Sequence, residues 1–147
     1  MFLKFAGRNE FSVPVYFENG IEIPPKDCGL IYPTPYLLPD SIWHSVGMDR
    51  GAANVLVFSN ERMDIGKFKS GIDDEFGSGV VRIDEGHTLF TDSARYEKWR
   101  NCIFLMSDPC QIVLFDEVGR IRGYYDPRLR DEQDRLRVEL KILLKKY

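Results

Sequence analysis

The chain has 147 residues, enough for one domain around one hydrophobic core, and 44% of them are hydrophobic. This apolar content excludes global disorder, and the formal net charge of −3 excludes the basic excess that is typical of nucleic-acid-binding domains. No run approaches the roughly 20 apolar residues that span a bilayer. Two expectations follow: a cytoplasmic protein, or the soluble part of a longer chain with an N-terminal membrane anchor.

The first third of the chain is predicted to be an arm, residues 1–52, packed on a domain of residues 53–147. Six of the eight prolines fall within residues 14–39. Proline lacks a backbone donor, so it excludes long helices and central strands there. Within the arm, residues 13–17 predict a short edge strand and residues 42–46 a short helix.

From residue 53 onward, strand and helix patterns alternate. The predicted strands cover residues 54–58, 80–83, 111–116 and 121–125, and helices follow the first, second and fourth of them. We expect Ser59 or Asn60 to cap the first of these helices and Asp126 the last. Strands separated by helices predict parallel pairing, and the close last pair predicts an antiparallel hairpin. The order β-α-β-α-β-β-α therefore predicts an α/β, thioredoxin-like three-layer sandwich.

The hairpin around Gly119 carries the most specific pattern. Residues 113–126 read VLFDEVGRIRGYYD: an apolar strand, an Asp, a turn, Gly-Arg-Ile, a small residue and two aromatics. This stretch resembles the Sco/SenC proteins, thioredoxin-fold copper chaperones of cytochrome c oxidase assembly. The closing helix, residues 130–145, is similar to that of Sco-like proteins from the Bacteroidetes group. That resemblance implies a membrane-anchored domain at the outer side of the inner membrane, in the periplasm.

The copper motif of that family is missing from this sequence. Sco proteins bind copper through C-x-x-x-C after the first core strand and a histidine before the third. In this chain the loop after the first core strand holds no cysteine, and we call it the vacant loop. Its residues are Ser59, Asn60, Glu61, Arg62 and Met63. No histidine stands directly before the third strand either. Dithiol chemistry needs a nucleophilic and a resolving thiol. The missing cysteines therefore indicate a non-catalytic member of the family that the chain resembles.

Three cysteines, Cys28, Cys102 and Cys110, are the redox candidates. Cys28 and Cys102 make the more natural disulfide pair, because a staple would stabilise an arm without regular hydrogen bonding; two unpaired thiols are the alternative. Pro109 stands just before a core strand, where thioredoxin-like proteins place a cis-proline. Cys110 follows it and is interpreted as either a lone thiol facing the vacant loop or a small buried residue.

No metal-binding motif is present, and we predict no cofactor. His44 and His87 are the two histidines. Met63, His87 and Cys110 are the weak candidates for a rearranged copper site, because a metal site needs several converging soft ligands.

Three functional hypotheses remain from the sequence. The first is a Sco/SenC-like, non-catalytic domain that assists respiratory oxidase assembly or copper handling by binding protein partners, such as oxidase assembly factors. It would touch the membrane only through an anchor outside this chain. The second is a thiol-disulfide oxidoreductase that uses Cys110 or a Cys28–Cys102 disulfide. The third is a copper binder with rearranged ligands.

Overall fold

The structure is a computed structural model, and it describes most of the chain. The described residues are 13–22, 24–25, 28–45, 53–59, 63–86 and 92–144, without the side chains of residues 42, 44 and 45. The elements in chain order are α1 (Asp40–Ser45), β1 (Ala53–Val57), α2 (Ile65–Phe76), β2 (Val81–Glu85), α3 (Ser93–Lys98), a π-helical segment (Trp99–Ile103), β3 (Ile112–Asp116), β4 (Ile121–Tyr125) and α4 (Arg130–Leu143).

The strands form one mixed four-stranded sheet in the order β2-β1-β3-β4. β1 and β2 are parallel, as the intervening helix predicted. β3 runs antiparallel to β1, so the expectation of parallel pairing is wrong for this strand. A helix between two strands does not by itself dictate their direction, because the long segment of residues 93–111 turns back before β3 begins. β3 and β4 form the predicted antiparallel hairpin.

The two inner strands, β1 and β3, are buried along their whole length. Because side chains alternate across a strand, they feed two separate apolar clusters. One cluster contains Val55 and Leu114 with buried residues of α2 and α4. The other contains Leu56 and Phe115 with the π-helical segment and buried residues of the arm. The fold is therefore an α/β domain with apolar packing on both faces of its sheet.

Residues 13–17 do not form the predicted edge strand. The backbone N–H of Tyr16 donates to the Ile121 carbonyl at 2.9 Å, so the arm lies beside β4. The Arg122 guanidinium donates to the carbonyl oxygens of Val13 and Pro14, which takes acceptors that a strand ladder would need. Phe17 has a positive φ of 61°, and the chain turns there.

Two helix starts also differ from the prediction. Asp64 caps α2, its side chain accepting from the Lys67 backbone N–H at 3.1 Å, in place of Ser59 or Asn60. α4 begins at Arg130, because Asp126 caps a separate turn by accepting from the Arg128 backbone N–H at 3.0 Å. In α2 a carboxylate nearer to the apolar stripe takes the cap, whereas α4 has no side-chain cap because Asp126 belongs to the turn before it.

A small residue in β4 is explained by its neighbour two positions on. A Cβ at Gly123 would lie 2.7 Å from Cζ of Tyr125 and close to its hydroxyl. The Tyr125 ring is fully buried, and its hydroxyl donates to a carboxylate oxygen of Glu139 in α4. The ring therefore has no room to move away from a methyl group.

We expect Gly123→Ala to lower the free energy of unfolding by about 1–3 kcal/mol, through overpacking against the Tyr125 ring. Urea denaturation followed by circular dichroism measures this change. Gly66→Ala is the matched control, because a Cβ there meets only Asp64 Oδ1 at 3.6 Å. That control is expected to gain up to about 1 kcal/mol. Equal stability of the two variants would contradict the packing argument.

Candidate functional site

The candidate site lies at one end of the sheet, where β1 ends and β3 begins. The Phe58 backbone N–H donates to the Gln111 carbonyl at 2.7 Å, so the loop after β1 starts beside residues 109–111. Ser59 is half-buried, and Met63 is buried in the core cluster that contains Phe68. The predicted vacant-loop residues between them, 60–62, lie outside the described residues.

The segment before β3 contains a cis peptide bond between Asp108 and Pro109. The Cys110 backbone N–H donates to the Ser107 carbonyl at 3.0 Å, which closes a tight turn around the proline. Cys110 is half-buried and is a free cysteine. The structure therefore brings the predicted proline and the predicted thiol to the same sheet end as the vacant loop.

Arg100 holds this turn in place, and the sequence patterns did not single it out. Its side chain is buried in the π-helical segment. Nη2 donates to Asp108 Oδ1 and to the Cys110 carbonyl, both at 2.9 Å, and Nε donates to Gln111 Oε1 at 3.1 Å. A buried guanidinium needs most of its donors satisfied. The turn supplies those acceptors, so Arg100 and the cis-proline turn fix each other.

The Cys110 thiol lies in an environment that favours its protonated form. Burial raises the pKa of Cys110, and the negative charges of Glu132 and Asp126 raise it further. The cations Arg135 and Arg100 act in the opposite direction but do not reverse the shift. Because the thiolate is the nucleophile and the metal ligand, this environment works against both reactions at neutral pH.

The two acidic neighbours of Cys110 are themselves held ionised. Hydrogen bonds from the Arg128 side chain lower the pKa of Asp126. Glu132 accepts from Arg135 Nε at 2.8 Å, and this hydrogen bond lowers the Glu132 pKa. Their charges are thus fully present at neutral pH, where they oppose the formation of a thiolate.

The other two cysteines form a disulfide, Cys28–Cys102, and both are buried. Of the two alternatives that the sequence left open, the structure has the pair. It joins the arm to the π-helical segment across 74 residues. In the chain-entropy model a loop of this length gives about 4 kcal/mol of stabilisation. The Tyr32 hydroxyl donates to the Cys102 carbonyl at 2.7 Å beside it. A buried disulfide that joins two segments in this way has a structural role.

Two of the candidate copper ligands, Met63 and Cys110, lie among the described residues of this sheet end. Met63 packs into the apolar core, and Cys110 favours the protonated thiol. The third candidate ligand, His87, and the side chain of His44 lie outside the described residues. Among the residues that are described, no three His, Cys, Asp or Glu side chains form a group that could hold a metal ion.

Comparison with known proteins gives no match: no family model, no curated protein and no solved structure corresponds to this chain. The Sco/SenC resemblance therefore rests on residues 113–126 and on the order of the elements. Within the described ranges, no helix is long and apolar enough to cross a membrane.

We expect iodoacetamide to alkylate Cys110 slowly at pH 7, with a rate that rises toward a pKa above the value of about 8.5 for a free thiol. Glu132→Gln should lower this pKa and speed the reaction at pH 7, because it removes a negative charge and leaves Arg135 unpaired with that residue. The measurement is the alkylation rate against pH by intact-mass spectrometry. Glu117→Gln, in the exposed turn at the other end of the sheet, is the control. A Cys110 pKa below 8 would contradict this account.

We expect Arg100→Met to destabilise the fold by about 2–4 kcal/mol, since several acceptors of the turn lose a buried, charged donor. Thermal and urea unfolding measure the loss. Arg95→Met removes an exposed arginine from α3 and should change stability by less than about 0.5 kcal/mol. Similar losses in both variants would show that the turn does not depend on the Arg100 hydrogen bonds.

Proposed function

We propose that this chain is a Sco/SenC-like domain with a thioredoxin-like fold that acts by binding a protein partner. Its process would be respiratory oxidase assembly or copper handling, and its partners would be proteins of that assembly. It would use neither a dithiol nor a resident copper ion. A location at the outer side of the inner membrane, held by an anchor outside this chain, belongs to the same proposal.

The topology supports the thioredoxin-like part of the proposal. A sheet in the order β2-β1-β3-β4, with β1 parallel to β2 and antiparallel to β3, is the arrangement of the thioredoxin core. The cis-proline directly before β3 stands where that fold places one. The hairpin pattern of residues 113–126 is the sequence feature that supports the Sco/SenC part of the proposal. Two members of that pattern, its small residue and its turn Asp, have structural roles here.

The turn Asp is Asp116, which is buried. It accepts hydrogen bonds from the backbone N–H groups of Val118 and Arg120, at 3.1 and 2.9 Å. Its second oxygen accepts from Arg122 Nη1 at 3.0 Å. The carboxylate therefore shapes the hairpin and binds the arm-contacting arginine, which makes it a structural element of the pattern.

The observation that carries the non-catalytic part is the state of the sulfur atoms. Cys28 and Cys102 are joined to each other, and Cys110 is left without a second cysteine. A lone thiol with a raised pKa supplies neither the nucleophile nor the resolving partner of a dithiol cycle. The state of these sulfur atoms supports a role in partner binding over a role in dithiol exchange.

The disulfide also supports the proposed location. Disulfides persist in oxidising compartments and are rare in the cytosol. Cys28–Cys102 ties down an arm that has little regular hydrogen bonding, so its loss would expose the apolar face that the arm covers.

The test combines a genetic and a binding measurement. We expect a strain without this gene to lose terminal oxidase activity in its membranes, and the Cys110→Ser chain to restore that activity fully. We also expect the purified domain, with its disulfide intact, to bind Cu(I) no better than the Cys110→Ser variant under a competing chelator.

Three results would overturn the proposal in distinguishable ways. Unchanged oxidase activity in the deletion strain would remove the assembly role. One-to-one Cu(I) binding that is lost in Cys110→Ser would replace partner binding with metal carriage. A dithiol-dependent reductase activity that survives Cys110→Ser would instead point to the Cys28–Cys102 pair.

A further inference from the structure

A cleft between α2 and α4 is a separate feature of the molecule. Its volume is about 400 Å³, which falls in the range of pockets that hold small molecules. Met63 and Phe68 contribute apolar side chains to its lining. The remaining lining residues are polar or charged: Asp64, Lys67, Arg128, Arg130, Gln133, Asp134 and Arg137.

Cations dominate this lining, although the chain as a whole has a net charge of −3. Four of the lining side chains are basic and two are acidic. Arg128 is neutralised by an ion pair with Asp126 at 3.0 Å. Lys67, Arg130 and Arg137 form no ion pair with any residue in the described part of the chain. These three cations outnumber the two carboxylates of the lining, Asp64 and Asp134, so the cleft keeps a net positive charge.

Helix ends lie at the cleft and bear on its electrostatic potential. Lys67 lies in the first turn of α2, and Arg130 is the first residue of α4. The N-terminal end of a helix carries a partial positive charge. No side chain caps the N-terminus of α4, so its first backbone N–H groups have no side-chain acceptor. Asp64 already caps α2, so it is the uncapped N-terminus of α4 that favours an anion in the cleft.

Arg137 occupies its position in the cleft because residue 71 of α2 is a glycine. A Cβ at Gly71 in α2 would lie 2.4 Å from Nη2 of Arg137 and 3.5 Å from its Cζ. The guanidinium thus occupies the space that any larger residue at position 71 would fill. Glycine inside a helix costs about 1 kcal/mol relative to alanine. The close approach gives this costly residue a role in placing a cation.

We infer that this cleft binds a small organic molecule that carries a diphosphate group. Lys67, Arg130 and Arg137 supply three cationic groups for the oxygens of two linked phosphates, and they outnumber the lining carboxylates Asp64 and Asp134. Arginine forks bind phosphate oxygens with two donors each, and lysine adds a point charge. Met63 and Phe68 offer an apolar surface to the rest of the ligand. The site requires neither a free thiol nor the proposed partner.

The first test uses inorganic pyrophosphate as the probe, with the whole chain and its disulfide intact. Isothermal titration calorimetry at low ionic strength should show one site, with an affinity that falls as salt is added. Arg137→Gln and Arg130→Gln should each weaken binding about tenfold. The matched control is Arg95→Gln, an exposed arginine on α3, which packs on the opposite face of the sheet. Its affinity should stay within about twofold of the wild type.

Gly71→Ala separates binding from stability. The new methyl group displaces only the end of a flexible side chain, so the free energy of unfolding should rise or stay the same. Pyrophosphate binding should nevertheless weaken about as much as in Arg137→Gln, because the same cation leaves the cleft. A Gly71→Ala chain that binds pyrophosphate as tightly as the wild type would contradict the role of Gly71 in positioning Arg137.

Two further outcomes would overturn the site itself. One is equal weakening by Arg95→Gln and by the cleft variants, which would mean general attraction of the anion to the surface. The other is equal affinity for pyrophosphate, sulfate and a dicarboxylate such as succinate, which would mean no recognition of a diphosphate. Neither outcome bears on oxidase activity in the deletion strain, so failure here is distinguishable from failure of the proposed function.

Discussion

The burial of β1 and β3 on both faces is the constraint on which the rest of the structure depends. Their side chains are excluded from water on either side of the sheet, so each face must be covered. α2 and α4, of 12 and 14 residues, cover one face. The other face has only α3, of six residues, and the π-helical segment, of five. Helices this short cannot cover the face alone, and the arm supplies the remaining apolar surface through Tyr36, Leu38 and Trp43.

An arm rich in proline cannot be held by backbone ladders, so side chains and one covalent bond hold it. The segment that ends at Ile103 leaves carbonyl groups without helical partners. Tyrosine hydroxyls fill these positions: Tyr32 donates to the Cys102 carbonyl and Tyr36 to the Ile103 carbonyl, at 2.7 and 2.5 Å. Tyr124 in β4 donates to the Phe104 carbonyl at 2.6 Å. The disulfide lies within this row of bonds.

The tyrosines that make these hydrogen bonds are buried to different degrees, and burial raises their pKa. Desolvation is the largest cause of the shift for Tyr32, Tyr36 and Tyr124. Each hydroxyl acts as a donor to a carbonyl, which only the neutral form can do. The arm is thus attached by interactions that are insensitive to pH in the physiological range. The disulfide adds a redox condition, because its reduction would leave these hydrogen bonds as the main attachment of the arm.

The sequence predicted the periodic elements well and the irregular ones poorly. β4 has the predicted bounds, and a helix, α2, follows β1 as predicted, because apolar spacing reports directly on burial. The edge strand at residues 13–17 failed because Arg122, far along the chain, takes its carbonyl groups. The direction of β3 could not be derived either, since it depends on the path of the long segment before it. The order of elements indicated the core, and side chains from distant positions decided the rest.

The candidate site shows the same division. Pro109 and Cys110 were found from their place before a strand, but Arg100, which holds their turn, gave no signal beyond a basic residue in a helix. The cleft cations Lys67, Arg130 and Arg137 likewise gave no signal beyond basic residues in predicted helices. In each case the geometry of the site depends on where a long basic side chain ends, and local spacing fixes only where it begins. Gly71 gave an indirect signal, because a glycine that weakens a helix needs a compensating role in the fold or the site. Here the compensation is the position of one guanidinium, Arg137, which approaches the backbone of α2 where position 71 has no side chain.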